Sequence, residues 1–269
     1  MEARAQIAKL ARPLAFVPTM GALHEGHAAL VKEARTRGAS VVVSIFVNPL
    51  QFGPNEDFDR YPRMFETDCR LLDSLGVSVV YAPSVETMYP SGFACRVDVG
   101  AIGRVYEGER RPGHFDGVAT VMTKLLAIVD PDVFIMGQKD AQQVAVLRGL
   151  VRDFDVRAQM IVAPTVREHD GLALSSRNAY LDAAQRAAAP SLHRALDAVA
   201  VALEAPGTGI DAATAAGRAQ LAAPLVEDYL AVVDPHTFER ASGAIGSLVI
   251  GAVYAGKTRL LDNVFVGSR

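Results

Sequence analysis

The run Ser40 to Val47 (SVVVSIFV) holds five β-branched residues and no charge. A strand with one wet face alternates apolar and polar residues. An unbroken run of this kind marks a central strand of a parallel sheet, covered on both faces. The neighbouring sequence fits around it. Leu14 to Val17 reads as a short apolar strand closed by Pro18, and Val77 to Tyr81, Asp132 to Met136 and Arg157 to Val162 read as three more. Helical periodicity fills the gaps over Ala28 to Arg37 (Leu30, Val31 and Ala34 on one face, Gly38 as stop), Phe65 to Leu75, Val118 to Val129 and Asp140 to Phe154. Strand–helix alternation predicts a doubly wound α/β sheet.

The pattern changes near Pro164. Leu181 to Leu203 and Ala212 to Leu221 are alanine-rich helical stretches, and Pro190 predicts a kink or break in the first. Strand-like runs at Asp228 to Val233, Leu248 to Tyr254 and Thr258 to Leu261 close the chain. Helices followed by clustered strands predict a small α+β domain. The expected division is a Rossmann-like domain over 1–165 and an α+β domain over 166–269 that caps the nucleotide site.

Half of the 269 residues are hydrophobic and 21% are charged, enough to build a substantial core. The formal net charge of −3 offers no global basic field for nucleic acid. Cys69 and Cys95 lack the spacing of a zinc site or disulfide framework and are expected as buried thiols in a reducing compartment. No segment approaches the roughly 18 uncharged apolar residues of a membrane span. The start, Met-Glu-Ala-Arg-Ala-Gln, lacks the apolar core of a signal peptide. A cytoplasmic enzyme is expected.

In open α/β sheets, ligands collect beyond the carboxyl ends of the strands. After the first strand stands Met20-Gly21-Ala22-Leu23-His24-Glu25-Gly26-His27, leading into a helix. The two glycines permit a close turn, and a helix start offers N–H groups to an anion. His24 and His27 could follow charge developing on phosphate, or form a metal pair, or be ordinary surface residues. After the second strand, Asn48 and Gln51 could hydrogen-bond a hydroxyl or carboxylate, or Asn48 could brace the turn before Pro49. After the strand ending at Met136 come Gly137-Gln138-Lys139-Asp140, then Gln142 and Gln143. Lys139 can neutralise phosphate, and Asp140 can accept from ribose, cap the helix, or do both. Leu174-Ser175-Ser176-Arg177-Asn178 could grip a polyphosphate or serve as a polar hinge. Arg111 and His114 could orient substrate or brace a loop by pairing with Glu107 or Asp116.

Six segments in order carry a resemblance: PTMGALHEGH at 18–27, SIFVNPLQFGPNEDFDRYPR at 44–63, EGERRPGHFDGV at 107–118, GQKDAQQ at 137–143, LALSSRN at 172–178 and DPHTFER at 234–240. Together they resemble the pantoate–β-alanine ligases, in the nucleotidyltransferase superfamily that carries the HxGH motif and includes class I aminoacyl-tRNA synthetases. Leu174 stands where that pattern has methionine, Pro190 falls in a helix the pattern leaves continuous, and the N-terminus is short against it. The resemblance implies ATP-dependent condensation of pantoate with β-alanine through an enzyme-bound pantoyl adenylate, with Mg²⁺ accompanying ATP and a homodimer as the assembly. It places His24, His27, Lys139 and Arg177 in catalysis. It places Met20 to His27, Gly137 to Asp140, Val166 and Leu174 to Arg177 around ATP. It gives Gln51, Gln143 and Asn48 to the small substrates, with Met20, Phe46 and Phe52 as candidates for an apolar wall. The metal's protein ligand stays open, Asp68 being the one carboxylate suggested. Rival readings are a nucleotidyltransferase whose product keeps the nucleotide, a tRNA-aminoacylating enzyme, and a non-catalytic nucleotide-binding regulator.

Overall fold

A computed structural model of the chain describes residues 2–54, 56 and 58–267. It forms two compact units, Met1–Gly137 with Val146–Ala163, and Gln138–Ala145 with Pro164–Arg269.

The first unit contains α1 (Glu2–Ile7), β1 (Leu14–Thr19), α2 (Glu25–Arg37), β2 (Ser40–Ile45), α3 (Phe65–Ser74), β3 (Val79–Tyr81), α4 (Val85–Met88), α5 (Glu107–Arg110), α6 (His114–Val129) and β4 (Val133–Gly137). It also holds the later part of α7 (Ala141–Asp153) and β5 (Gln159–Ala163). The five strands are all parallel, in the order β3-β2-β1-β4-β5. Successive residues of central β1, Ala15, Phe16 and Val17, are each 0% exposed, as the unbroken apolar run requires of a strand covered on both faces. Ala15 and Val17 share one core with Val31 and Ala34 of α2, Leu72 of α3 and Ile135 of β4. Phe16 takes the other face. The strand runs through Pro18, the residue expected to close it. Proline removes only its own N–H, and the Thr19 carbonyl still accepts from Phe46 N–H at 3.0 Å.

The second unit contains α8 (Ala183–Ala188), α9 (Ser191–Glu204), α10 (Ile210–Arg218), β6 (Leu225–Val233), β7 (Leu248–Ala255) and β8 (Thr258–Phe265). The strands form an antiparallel sheet in the order β6-β7-β8. One face of α9 (Leu192, Leu196, Val199, Leu203) packs with Leu230, Val249, Val253 and Leu260 of the sheet in a single core. The break expected at Pro190 is present. The residue has no N–H to continue the helical ladder, and it becomes the N-cap of α9.

The cysteines differ from expectation. Cys95 is exposed and Cys69 only half-buried. Cys95 lies in the irregular stretch after α4, and segments without regular pairing keep to the surface where water can satisfy their backbone. Among the described residues, no helix is long and apolar enough to cross a membrane.

One glycine determines how closely the first turn of α6 approaches the 3₁₀ turn Pro49–Gln51. A methyl group on Gly117 would overlap the Leu50 carbonyl and lie 2.7 Å from Gln51 N, both rigid backbone. Gly117→Ala is therefore expected to cost about 1–3 kcal/mol of overpacking. It should lower the thermal midpoint by several degrees and displace Gln51, measurable by calorimetry and by chemical-shift changes at residues 48–51.

Candidate active site

The turn between β1 and α2 is held from several sides. Thr19 Oγ1 donates to the Ser44 carbonyl at 2.6 Å and accepts from Gly21 N–H at 3.3 Å. Gly21 and Ala22 both have left-handed backbones, at φ +84° and +51°. For alanine this conformation costs roughly 1–2 kcal/mol. It is stabilised by Asp68 of α3, only 2% exposed, whose two oxygens accept from Ala22 N–H (3.0 Å) and Leu23 N–H (2.9 Å). A Cβ on Gly21 would stand 3.0 Å from Asp68 Oδ2 and 3.1 Å from Ile45, so the position also requires glycine sterically.

The imidazoles complete the helix start. His24 is the N-cap of α2, and its Nδ1 accepts from Gly26 N–H at 3.1 Å. His27 Nδ1 accepts from His24 N–H at 3.3 Å, and the ring centroids are 4.2 Å apart. A neutral ring whose Nδ1 accepts carries its proton on Nε2, so the backbone selects the same tautomer in both histidines. This alters one expectation. The turn's N–H groups, offered by the sequence as free anion donors, are engaged by Asp68 and the imidazoles. Four backbone N–H groups of the turn, those of Ala22, Leu23, His24 and Gly26, are thus committed within the protein.

Asn48 resolves toward the bracing alternative. It is 1% exposed. Its Nδ2 donates to Gln51 Oε1 (3.0 Å) and the Gly117 carbonyl (3.1 Å), while its Oδ1 accepts from Leu50 N–H (3.2 Å) and the Tyr89 hydroxyl (2.7 Å). With two donors and two acceptors engaged, its amide is saturated within the protein. Gln51 is aimed by it, and Gln51 Nε2 donates to Met20 Sδ at 3.1 Å.

Arg111 and His114 also brace, Arg111 through a carboxylate other than those expected. Arg111 forks onto Glu56, with Nε and Nη2 each 2.7 Å from a carboxylate oxygen, and Asp116 instead accepts from Val99 N–H. His114 Nδ1 lies 2.8 Å from the Gln51 carbonyl, which can only accept, so Nδ1 carries the proton and Nε2 accepts from Arg111 Nη1 at 3.0 Å. Burial pushes the Glu56 pKa up, but hydrogen bonding and charge from Arg111 outweigh it and hold the pKa below its ordinary value.

Met20 and Phe46 line an apolar hollow of about 260 Å³ with Ile45, Phe58, Phe65 and Val85. Phe52 does not line it, and meets Phe58 and Tyr61 edge to face, with ring centroids 5.4 and 5.9 Å apart. Gly137 ends β4, the neighbour of β1 on the side away from β2.

The remaining candidates lie in the second unit. Lys139 Nζ is 3.7 Å from Asp140 Oδ1, and the Asp140 carbonyl accepts from Val144 N–H at the start of α7. Gln143 is half-buried one turn on. The Val166 carbonyl accepts from Leu174 N–H at 2.9 Å. Ser175 caps a 3₁₀ turn (Ser176–Tyr180), its Oγ accepting from Arg177 N–H, and Ser176 and Arg177 are exposed. Lys139, Ser175 and Arg177 line one cleft with Asn178, His193, Arg259 and Asp262. Asn178 Nδ2 fastens the loop to Glu168 and to the Ala173 carbonyl, and Arg186 ties Glu168 to Asp170.

Asp68, Glu56 and Tyr89 thus support the candidate residues from distant points in the chain. Local spacing carries no signal for such contacts. Asp68 engages both oxygens with backbone N–H groups, a loop-bracing geometry, and no group of three or more metal-ligating side chains occurs among the described residues.

The chain matches the family "Pantoate-beta-alanine ligase" over residues 1–265. It is 52% identical over 265 residues to the pantothenate synthetase of Thermobifida fusca, covering 93% of this chain and 88% of that protein. It is 49% identical over 269 residues to that of Rhizorhabdus wittichii, covering 98% and 95%. Among solved structures, the pantothenate synthetase of Thermus thermophilus superposes with a TM-score of 0.92 at 48% identity, covering 98% of this chain and 96% of that one. The pantoate-beta-alanine ligase of Francisella tularensis, complexed with beta-gamma ATP and beta-alanine, gives a TM-score of 0.80 at 34% identity, covering 100% and 96%.

Asp68→Asn turns one carboxylate oxygen into a donor facing backbone N–H groups. An unsatisfied buried pair of this kind costs about 1–3 kcal/mol, so the thermal midpoint should fall by several degrees. For Glu56, a lowered folded-state pKa means that the Arg111 pair stabilises fully above the ordinary value of 4.5 and ceases to as pH falls through the lowered one. The stability gap between wild type and Glu56→Gln, measured by urea denaturation, should be present at pH 7 and close in that acidic window.

Proposed function

We propose a two-step reaction from this premise: the chain belongs to the pantoate–β-alanine ligase family and condenses pantoate with β-alanine at the expense of ATP. In the first step a pantoate carboxylate oxygen attacks the α-phosphorus, the bond to the β-phosphate bridging oxygen breaks, and pyrophosphate leaves. In the second, the neutral amine of β-alanine attacks the acyl carbon of the pantoyl adenylate. AMP departs and the nitrogen loses a proton, leaving the amide of pantothenate.

Displacement at phosphorus asks the protein for placed donors and positive charge, not for a covalent nucleophile. The observation that carries the reading is the start of α2. Two imidazoles stand 4.2 Å apart, each with Nδ1 engaged by backbone and its proton assigned to Nε2. His24 and His27 donate to phosphate oxygens, with His27 protonating the leaving group. Lys139 neutralises the α-phosphate, and Ser175, Ser176 and Arg177 hold the β- and γ-phosphates. Gly137 and Asp140 serve the ribose, while Met20 to Leu23, Glu25, Gly26, Gln138, Val166 and Leu174 border the nucleotide. Gln51 and Gln143 hold pantoate. Asn48 acts through Gln51.

Mg²⁺ enters this reading as part of the MgATP substrate, held by phosphate oxygens and water. The donor set agrees, since Asp68, the one carboxylate suggested for the metal, has both oxygens turned to N–H groups. The homodimer implied by the resemblance and the cytoplasmic location expected from the sequence belong to the same reading, and sedimentation velocity would test the first.

Mass spectrometry of products from ATP, Mg²⁺, pantoate and β-alanine should find AMP and pantothenate in equal amounts. A product that retains the nucleotide would overturn the reading. Lys139→Ala should fold normally by circular dichroism yet lose about 100-fold or more in pantoate-dependent ATP–pyrophosphate exchange. Exchange near the wild-type rate would remove Lys139 from the mechanism.

A further inference from the structure

Asn263 sits on β8, outside every segment that the motifs single out and 125 residues along the chain from Gln138. It is 5% exposed, and its side chain turns to the peptide units just before α7. Its Nδ2 donates to the Gln138 carbonyl at 3.0 Å and to the Lys139 carbonyl at 3.0 Å. Its Oδ1 accepts from Gln138 Nε2, also at 3.0 Å. Two carbonyl oxygens can only accept, so the orientation of the amide is determined. All three hydrogen bonds converge on one two-residue segment, and that segment carries Lys139.

Asn263 is itself anchored. Its N–H donates to Asp262 Oδ1 at 2.8 Å. Arg167 grips the same buried carboxylate with two nitrogens, at 2.6 and 2.9 Å, and also donates to the Gly171 carbonyl at 3.0 Å. The Lys139 ammonium is held more loosely, since its ion pair with the largely exposed Asp140 is 3.7 Å long. A flexible side chain of this kind is directed mainly by where its backbone is fixed.

We infer that Asn263 is a positioning residue for adenylation: its carboxamide sets the Gln138–Lys139 backbone from which the Lys139 ammonium reaches the nucleotide. The inference rests on the proposed role of Lys139. A charge that stabilises a transition state must be in place beforehand, and displacement by about 1 Å can cost on the order of 100-fold in rate. Asparagine suits the task because one planar group supplies two donors for adjacent carbonyls and an acceptor for the neighbouring side chain. Aspartate has the same shape but would set an oxygen against those two carbonyls.

The test uses Asn263→Ala and Asn263→Asp, alone and in a Lys139→Ala background. Val264→Ala, the next residue of β8, serves as a control for lost strand stability. Pantoate-dependent ATP–pyrophosphate exchange and the thermal midpoint are both read. Both Asn263 variants should lose roughly 10- to 100-fold in kcat while KM for ATP stays within about twofold. Val264→Ala should keep its kcat. In the Lys139→Ala background the Asn263 substitutions should lower the midpoint again but slow the exchange no further, because the group they position is gone.

Full kcat in Asn263→Ala, losses that multiply with that of Lys139→Ala, or an equal loss in Val264→Ala would each overturn the inference. Failure of both Asn263 variants to fold would also overturn it, since the role would then be structural. If Lys139→Ala alone is fully active, the proposed role of Lys139 is what fails. A slow Lys139→Ala beside a fast Asn263→Ala leaves that role standing and removes only Asn263.

Discussion

When helices cover both faces of a parallel sheet, polar chemistry is confined to the rims, where strands give way to turns. In the first unit the segments that follow β2, β1 and β4 leave three adjacent strands by the same end. Asn48 and Gln51, the turn from Met20 to His27, and Gly137 are neighbours for that reason, although they come from widely separated parts of the chain. The burial that leaves Ala15, Phe16 and Val17 of β1 inaccessible is also what gathers them.

A rim is useful only if its turns are held, and the holding is done by buried polar groups. Asp68 sustains two left-handed residues in succession, one of them an alanine that would not adopt the conformation unaided. Asn48 and the Arg111–His114–Glu56 cluster hold the backbone and side chain of Gln51 from opposite ends. Asp68, Arg111 and His114 reach in from distant elements to satisfy backbone groups that the turns themselves leave unpaired, and Asn48 acts from within its own turn. An unpaired buried donor is expensive, so these turns have little freedom to rearrange.

That division explains what the sequence could and could not disclose. Strands such as Ser40–Ile45 declare themselves through an unbroken apolar run, because both faces are buried, and helices such as Phe65–Ser74 through periodicity, because burial acts on every third to fourth residue. The break at Pro190 was legible because proline acts on its own backbone. Pro18 misled at the same level, since a strand survives one missing donor when its neighbours remain paired. The candidate residues were legible as residue types after strands. Whether Asn48 touches a ligand or braces a turn depended on Tyr89 and Gly117, and the partner of Arg111 on Glu56, which local spacing cannot reveal. The burial of the cysteines was misjudged for a related reason, as an irregular stretch has no periodicity from which to read its depth.

The contact between Gln51 and Met20 has a consequence for molecular recognition. A thioether sulfur is a weak acceptor, and here it takes a hydrogen bond from a carboxamide whose other end is locked by Asn48. The sulfur acts as a placeholder. It keeps the amide oriented without solvating it well, and in the proposed role of Gln51 an incoming pantoate oxygen would displace a poor bond and not a good one. Orientation is settled before any ligand arrives, and the desolvation that recognition normally requires has already taken place during folding.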